Sequence, residues 1–182
     1  MLLHATHADD GRLVLTDGRV TLREQLPDEA AQLADGLPAA LTWLDGLPGE
    51  GTVTAARMTV KAAVAGLYAP GWGLFAIQRT DDLVALGGIG FHGPPSEDGV
   101  AEIGYDLVPA ARGGGWATDA ARLISRWALS RPEVRTVLAT TDPENAASQR
   151  VLARAGFTWV DDREGLRAYE LSSRTPALRP ER

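Results

Sequence analysis

A glycine-rich segment is the feature of the sequence that most directly suggests chemistry. Residues 112–118 read Arg-Gly-Gly-Gly-Trp-Ala-Thr, follow a predicted strand and open the most regularly patterned helix of the chain. Consecutive glycines let several backbone N–H groups point into one concavity, and a helix N-terminus adds about half a positive charge there. The segment is therefore suited to binding a diphosphate. The simpler alternative is a glycine-rich turn at a helix start.

A second glycine motif, at residues 88–93, has a different interpretation. It matches G-x-G-x-x-G, but two prolines follow at once, whereas a dinucleotide-binding fingerprint needs a helix to begin at its last glycine. We predict instead a strand whose glycines allow another segment to pack closely. The chain also has no G-x-x-x-x-G-K-[ST] loop and no G-x-S-x-G turn, which argues against P-loop and serine-hydrolase chemistry.

The composition argues against several other classes of protein. The 182 residues include no cysteine, one lysine (Lys61) and three histidines, so we expect no disulfide, no cysteine acyl-enzyme and no metal site. The formal net charge of −6 argues against a broad nucleic-acid surface. No signal peptide or membrane-length apolar run is visible. We therefore expect a cytoplasmic protein that binds neither nucleic acid nor membrane.

Hydrophobic periodicity and turn residues predict one mixed α/β or α+β domain over residues 1–182, with flexible tails at 1–10 and 172–182. Strands are predicted at residues 13–15, 18–24, 73–79, 83–91, 100–108, 136–140, 157–162 and 166–171. Helices are predicted at residues 27–33, 54–67, 115–131 and 143–155, with a loop at 36–51. We expect Asp142 to cap the last helix, with Pro143 at its first position.

With the segments on either side of it, the glycine-rich loop resembles the GNAT superfamily of acyl-CoA-dependent N-acyltransferases. Arg112, Gly115 and Ala117 occupy the fixed places of that family's pyrophosphate loop, R/Q-x-x-G-x-G/A. An N-x-x-S helix start at 145–148, followed by Gly-Phe at 156–157, looks like the branch that contains the Rim-type ribosomal-protein N-terminal acetyltransferases.

The resemblance covers roughly residues 10–171 and implies a fold. The expected sheet is mostly antiparallel, has six or seven strands, is splayed between the fourth and fifth, and is flanked by about four helices. Acetyl-CoA, as acyl donor, would lie in the gap. Leu107 and Val108 would pair with the pantetheine arm through their backbone groups, and Asn145 would hold the arm from the other wall. The loop residues would cradle the pyrophosphate: Arg112, Gly113, Gly114, Gly115, Trp116, Ala117 and Thr118.

The resemblance also implies direct transfer of an acetyl group to a primary amine in a ternary complex. Glu102 is the candidate general base because the resemblance places it beside the gap. We expect its half-buried carboxyl group to have a raised pKa, although a surface glutamate is the alternative. Many family members place a tyrosine acid where this chain has Leu152. Ser148, one helical turn earlier, is the candidate acid, and a serine bonded to a helix carbonyl is the alternative.

The amine acceptor is not defined by the sequence. A peptide α-amine follows from the branch resemblance, and a polyamine, an aminoglycoside or an amino acid stays open. Family acceptor sites correspond here to residues 43–45, His92 and 163–168. In these regions Asp45 and Glu164 could hold the charge of an amine, or could simply be solvated loop acids.

Other functions also stay open. An acyl group larger than acetyl, such as succinyl, is conceivable because Gly87, Gly88 and Gly90 could leave space near the thioester. A catalytically weak acyl-CoA-binding module and an unrelated nucleotide-phosphate binder are the rival classes. Besides acyl-CoA and an amine, a second copy of the chain in a homodimer is an open partner.

Overall fold

The computed structural model describes residues 3–173, which form a single layered α+β fold. The strands, in chain order, are β1 (His4–His7), β2 (Leu13–Asp17), β3 (Val20–Glu24), β4 (Leu74–Arg79), β5 (Ala85–Phe91), β6 (Val100–Leu107), β7 (Thr136–Thr141), β8 (Thr158–Arg163) and β9 (Leu166–Ser172). The helices are α1 (Pro27–Ala34), α2 (Glu50–Val64), α3 (Trp116–Leu129) and α4 (Ala146–Ala155), with a single 3-10 turn at Pro109–Ala111.

All strands join one open sheet in the order β1-β2-β3-β4-β5-β6-β7-β9-β8. Every neighbouring pair is antiparallel except β6 and β7, which run parallel. The mostly antiparallel α+β class and the four flanking helices are confirmed. The strand count of nine in the described residues exceeds the expected six or seven, partly because β1 extends the sheet beyond β2.

The sheet opens between β6 and β7. Their parallel pairing runs from Val100 opposite Thr136 to Ile103 opposite Ala139 and goes no further, while β6 stays paired with β5 up to Leu107. A gap therefore separates the second half of β6 from the end of β7. The expected splay is confirmed, but it lies between the sixth and seventh strands of the chain and not between the fourth and fifth. The apolar face of α3, predicted from its periodicity, is buried against the sheet and contacts β2, β3, β5, β6 and β7.

Two helix starts differ from prediction because of their hydrogen-bond partners. α2 begins at Glu50 and not at residue 54, since the Asp106 carboxylate of β6 accepts the N–H of Thr52 at 3.3 Å and caps the first turn. α4 begins after Asn145, whose side-chain oxygen accepts the N–H of Ser148 at 3.1 Å. Asp142 instead accepts the N–H of Glu144 at 2.8 Å, so the expected Asp142 cap is wrong.

The second glycine motif lies in β5 and the turn after it, as predicted. The neighbouring backbones pack so closely against parts of this strand that only glycine fits there. A Cβ atom on Gly90 would lie 2.5 Å from the carbonyl oxygen of Gly73 on one neighbouring segment. Gly87 lies in β5 just before the motif, and a Cβ atom on it would lie 2.0 Å from the carbonyl oxygen of Asp106 in β6. These glycines let the central strands approach each other.

The ends of the chain differ from the expected tails where they are described. The first ten residues include β1, whose four side chains are all exposed, and Ser172 still belongs to β9. Residues 1–2 and 174–182 lie outside the described part. Within residues 3–173, none of the helices has both the length and the apolar composition needed to span a bilayer.

Candidate active site

Beyond Ile103, the edge of β6 that faces the gap has no strand partner within residues 3–173. The N–H of Val108 donates to the Leu86 carbonyl at 2.9 Å, and the N–H of His92 donates to the Glu102 carbonyl at 2.9 Å. Even-numbered residues of β6 thus bond to β5, so the backbone groups of Tyr105 and Leu107 point towards the gap.

This alternation corrects the expectation for Val108. Its carbonyl also accepts the N–H of Ala111 at 3.0 Å, so both of its backbone groups already have partners. Leu107 fits the expectation, because it lies on the edge that faces the gap. Tyr105 is the second residue on this edge.

The glycine-rich loop ends at the N-terminus of α3, next to the gap. Gly113 and Gly115 have φ angles of +82° and +78°, a left-handed conformation that glycine adopts most readily. Gly115 is the N-cap residue of α3, and no side chain of residues 3–173 caps this end. The first N–H bond inside the helix runs from Asp119 to the Gly115 carbonyl at 3.1 Å. The preceding N–H groups are therefore free to bind an anion.

The side chains of this loop have different environments. Those of Ala117 and Thr118 are buried in the core, so these residues offer only their N–H groups. Trp116 is half buried under the guanidinium group of Arg19, which lies 3.9 Å from the ring centroid. Arg19 also donates to the Gly114 carbonyl at 2.7 Å. Arg19, from the β2–β3 turn, thus holds the loop in place through these two contacts. The sequence pattern did not indicate them.

Arg112 lies between the loop and the open edge of β6. Its side chain is 63% exposed, and its Nε donates to the Leu107 carbonyl at 3.2 Å. A terminal nitrogen lies 4.0 Å from the Asp106 carboxylate. The guanidinium group is thereby held at the mouth of the gap with donors left for an anion.

Glu102 lies on β6 one residue before its pairing with β7 ends. Its Oε1 is 3.5 Å from His92 Nδ1 and accepts the Thr140 hydroxyl at 3.4 Å. The interaction with His92 lowers the pKa of the Glu102 carboxyl group and outweighs burial, which acts in the opposite direction. The expectation of a raised pKa is wrong, because the contact with His92 favours the ionised carboxylate more than burial disfavours it.

Ser148 contacts a hydroxyl group from β6. Its Oγ lies 2.7 Å from the hydroxyl oxygen of Tyr105, which also donates to the Ser148 carbonyl at 3.3 Å. Burial raises the pKa of Tyr105 to about 12, so this phenol stays protonated at neutral pH. Leu152 has an exposed fraction of 1% and belongs to the core. Ser148 and Tyr105 therefore bring two hydroxyl groups together beside the gap, one from α4 and one from β6.

Asn145 lies at the start of the helix that carries Ser148. Its side-chain oxygen is used to cap that helix through the Ser148 N–H. Asn145 therefore fixes the position of Ser148 and is itself exposed.

A cavity of about 170 Å³ lies beside the gap, between α2 and the strands β5 and β6. Small and apolar residues of α2 and glycines of β5 and β6 form most of its wall. His92 and Asp106 add polar side chains to its lining, and Tyr105 also lines it. Glu102 is not among its lining residues. The cavity is thus a route by which a small group could approach the open edge of β6.

Two of the three expected acceptor regions are occupied by internal contacts. Trp43 is buried and donates from its ring N–H to the Pro38 carbonyl at 3.1 Å, and Asp45 accepts the N–H of Ala110 at 3.2 Å. In the β8–β9 hairpin, Arg163 pairs with Glu170 at 3.1 Å, and Glu164 is an exposed turn residue. His92 is the expected acceptor-region residue that lines the cavity.

The structure adds residues that the motifs did not single out for catalysis: His92, Tyr105 and Asp106. Each contacts a predicted residue from a distant position or from another element, so no spacing rule marks it. Within residues 3–173 there is no cluster of three or more His, Cys, Asp or Glu side chains that could hold a metal ion.

The open sheet, the uncapped glycine-rich helix start and the gap between β6 and β7 define the acetyltransferase class to which the motifs pointed. The acetyltransferase (GNAT) domain family matches residues 19–158, which is more than half of the chain. The chain belongs to the GNAT acetyltransferase family.

Known proteins similar to the chain agree with this family. The chain is 36% identical over 87 residues to the uncharacterized N-acetyltransferase YjdG of Bacillus subtilis (strain 168), a match that covers 48% of this chain and 52% of that protein. The chain thus spans about half the length of this curated relative.

Solved structures share the fold at low sequence identity. Ribosomal-protein-S5-alanine acetyltransferase from Vibrio fischeri has a TM-score of 0.62 and 14% identity, over 89% of this chain and 97% of that chain. Aminoglycoside acetyltransferase AAC(6')-Ib, solved in complex with coenzyme A, has a TM-score of 0.57 and 18% identity, over 84% and 94%. At these identities the likeness concerns the fold.

Proposed function

We propose that the protein transfers an acetyl group from acetyl-CoA directly to a primary amine. One observation carries this proposal: two sets of proton-transfer groups lie on opposite faces of β6 where the sheet opens. Successive side chains of a strand point to opposite faces. Glu102 therefore lies on the face towards α2, whereas Tyr105 and its partner Ser148 lie on the face towards α4.

The cosubstrate is expected to follow the open edge of β6 and the start of α3. The pyrophosphate fits the free N–H groups of residues 113–118 and the guanidinium group of Arg112, since both supply donors and positive charge. The backbone groups of Tyr105 and the N–H of Leu107 are assigned to the pantetheine arm, in place of Val108. Asn145, which is exposed and whose side-chain oxygen caps α4, is assigned to the opposite wall.

The reaction needs a proton removed on one side of the gap and a proton supplied on the other. The ammonium group of the acceptor first loses a proton on the Glu102 side and becomes a nucleophile. Its nitrogen attacks the thioester carbonyl carbon, the C–N bond forms, and the C–S bond breaks as the nitrogen loses a second proton to solvent. The Ser148 hydroxyl protonates the leaving thiolate and recovers a proton from solvent through Tyr105. One proton is released overall.

Direct transfer is favoured over a covalent acyl-enzyme. The chain contains no cysteine and no serine in a nucleophile-elbow motif. Ser148 pairs with a protonated phenol and not with a base, so its hydroxyl is arranged to donate a proton rather than to attack.

A primary amine is the proposed acceptor class, with a peptide α-amine or a small-molecule amine as candidates. Asp106 places a carboxylate in the cavity beside the gap, which favours an acceptor that arrives as a cation. The likeness in fold to a ribosomal-protein acetyltransferase and to an aminoglycoside acetyltransferase supports testing both kinds of amine.

An acceptor screen with detection of free thiol tests the proposal. Acetyl-CoA and succinyl-CoA are each incubated with the protein and with panels of N-terminal peptides, aminoglycosides, polyamines and amino acids. We expect amine-dependent thiol release with acetyl-CoA. Binding of acetyl-CoA without release, for every amine, would instead indicate an acyl-CoA-binding module. A preference for succinyl-CoA would change the proposed acyl group from acetyl to succinyl and leave the proposed transfer to an amine unchanged.

A further inference from the structure

We infer that His92 is the group that accepts the amine proton, and that Glu102 acts through it as a positioning residue. This inference rests on the proposed acetyl transfer. It starts from a difference in location. His92 lines the cavity beside the gap, whereas Glu102 does not, although Gly104, two positions further along β6, does. An amine in that cavity would meet the imidazole ring first.

The backbone and the side chain of His92 are both tied to Glu102. The His92 N–H donates to the Glu102 carbonyl at 2.9 Å, and the Nδ1 atom lies 3.5 Å from the Glu102 carboxylate. On its other side, the carboxylate accepts the Thr140 hydroxyl at 3.4 Å. The contacts therefore form a line from Thr140 through Glu102 to Nδ1 of the ring.

The opposite edge of the ring lies over Gly104. A Cβ atom at Gly104 would be 3.2 Å from His92 Nε2, so the absence of a side chain there leaves room for this edge of the imidazole. Gly104 directly follows Ile103, the last residue of β6 that pairs with β7. The Nε2 atom is thus placed at the point where the sheet opens.

This arrangement selects the tautomer that a base requires. A carboxylate facing Nδ1 favours a proton on that nitrogen, which leaves the Nε2 lone pair free to accept a proton from the amine. The negative charge then stabilises the imidazolium cation that forms. Because the pKa of Glu102 is lowered, its carboxyl group stays ionised and can keep this role at neutral pH.

Other titratable groups near the ring must be considered in a pH experiment. Tyr105 and Asp106 line the same cavity, and Tyr68 from the segment after α2 lines an adjoining one with His92. Arg163 of the β8–β9 hairpin acts on Glu102 through its charge. The α2 residues that line the two cavities carry no ionisable side chain.

The test compares kcat as a function of pH for wild type, His92→Gln and Glu102→Gln, with an accepted amine. We expect His92→Gln to lower kcat about 10²-fold and to remove the acidic limb of the profile. Glutamine at 102 keeps a hydrogen-bond acceptor but no charge, so the acidic limb should persist while kcat falls less than in His92→Gln. His7→Gln, at the far edge of the sheet, is the matched control and should leave kcat unchanged.

The opposite pattern overturns the inference. If Glu102→Gln removes the acidic limb and His92→Gln leaves it in place, the carboxylate is the base. Wild-type kcat in His92→Gln also overturns it. The thermal shift with acetyl-CoA checks that each variant folds, and His92→Asn replaces His92→Gln if the latter does not.

A readout without catalysis separates this inference from the proposed function. The imidazole nitrogen resonances of His92 report which ring nitrogen carries the proton, and NMR can compare them at one neutral pH in wild type and in Glu102→Gln. We expect the proton on Nδ1 in wild type and a weaker preference for Nδ1 in the variant, and the same tautomer in both would contradict the pairing. If wild type acetylates no amine, the proposed function fails, while this comparison still decides whether Glu102 controls the imidazole.

Discussion

The hydroxyl groups of Tyr105 and Ser148 lie 2.7 Å apart, although the two residues are 43 positions apart in the sequence. Tyr105 comes from β6 and Ser148 from α4, so their contact joins the two walls of the gap. Burial keeps the phenol protonated, with a pKa of about 12. A tyrosine hydroxyl is thus present near the gap although the last helix carries Leu152 at the family's tyrosine position.

Replacing Ser148 with alanine removes the proposed donor to the leaving thiolate. We expect kcat to fall about 10²-fold while the acidic limb of the pH profile persists, because the base is intact. An acetyl thioester with a more acidic leaving thiol should recover part of the loss, since its thiolate needs less help to depart. Steady-state kinetics with both thioesters measures this effect. Ser172→Ala, at the end of β9, is the control; unchanged kcat in Ser148→Ala would make the serine a packing residue.

Replacing Gly115 with valine tests the anion-binding loop. Its φ of +78° is strained for a β-branched residue, at a cost of about 1–2 kcal/mol, and the change should disorder the free N–H groups of the helix start. We expect the thermal shift caused by acetyl-CoA to disappear.

Gly36→Val provides the matched control for this loop. Gly36 has a similar φ of +75°, lies in open space after α1 and is far from the loop in sequence. We expect it to destabilise the apo protein to a similar extent but to retain the shift with acetyl-CoA. Retention of the shift in Gly115→Val would mean that the pyrophosphate binds elsewhere.

The lowered pKa of Glu102 predicts a pH dependence of stability. A carboxyl group whose pKa is lower in the folded state stabilises the fold above its unfolded pKa, about 4.3, and this stabilisation is lost as pH falls through the folded value. Glu102→Gln should therefore be less stable than wild type near pH 7, and the two should converge at lower pH. Urea unfolding across this range measures the difference, with the exposed Glu97→Gln as control. A difference independent of pH would contradict the lowered pKa.

Features with a local sequence signal were predicted correctly. The buried face of α3 follows a helical period, and the glycines at 113 and 115 adopt the left-handed backbone that their residue type allows. The prediction that the sheet is splayed rested on the family resemblance, because no local sequence pattern marks the gap between β6 and β7.

Features that depend on distant contacts were missed. α2 begins earlier than predicted because its cap, Asp106, is 54 residues away from Thr52. β1 has four exposed residues and is held through its pairing with β2, so no apolar pattern marks it. The lowered pKa of Glu102 depends on His92, which comes from the end of the neighbouring strand.

The most direct test of the proposed acetyl transfer follows both products with the wild-type protein. Free CoA thiol and the mass of the amine are measured in the same reaction, with and without the amine. We expect thiol release to require the amine and to match, one for one, an amine that has gained an acetyl group. Thiol release at the same rate with no amine, or none with any amine although acetyl-CoA binds, would contradict acetyl transfer as the function of this protein.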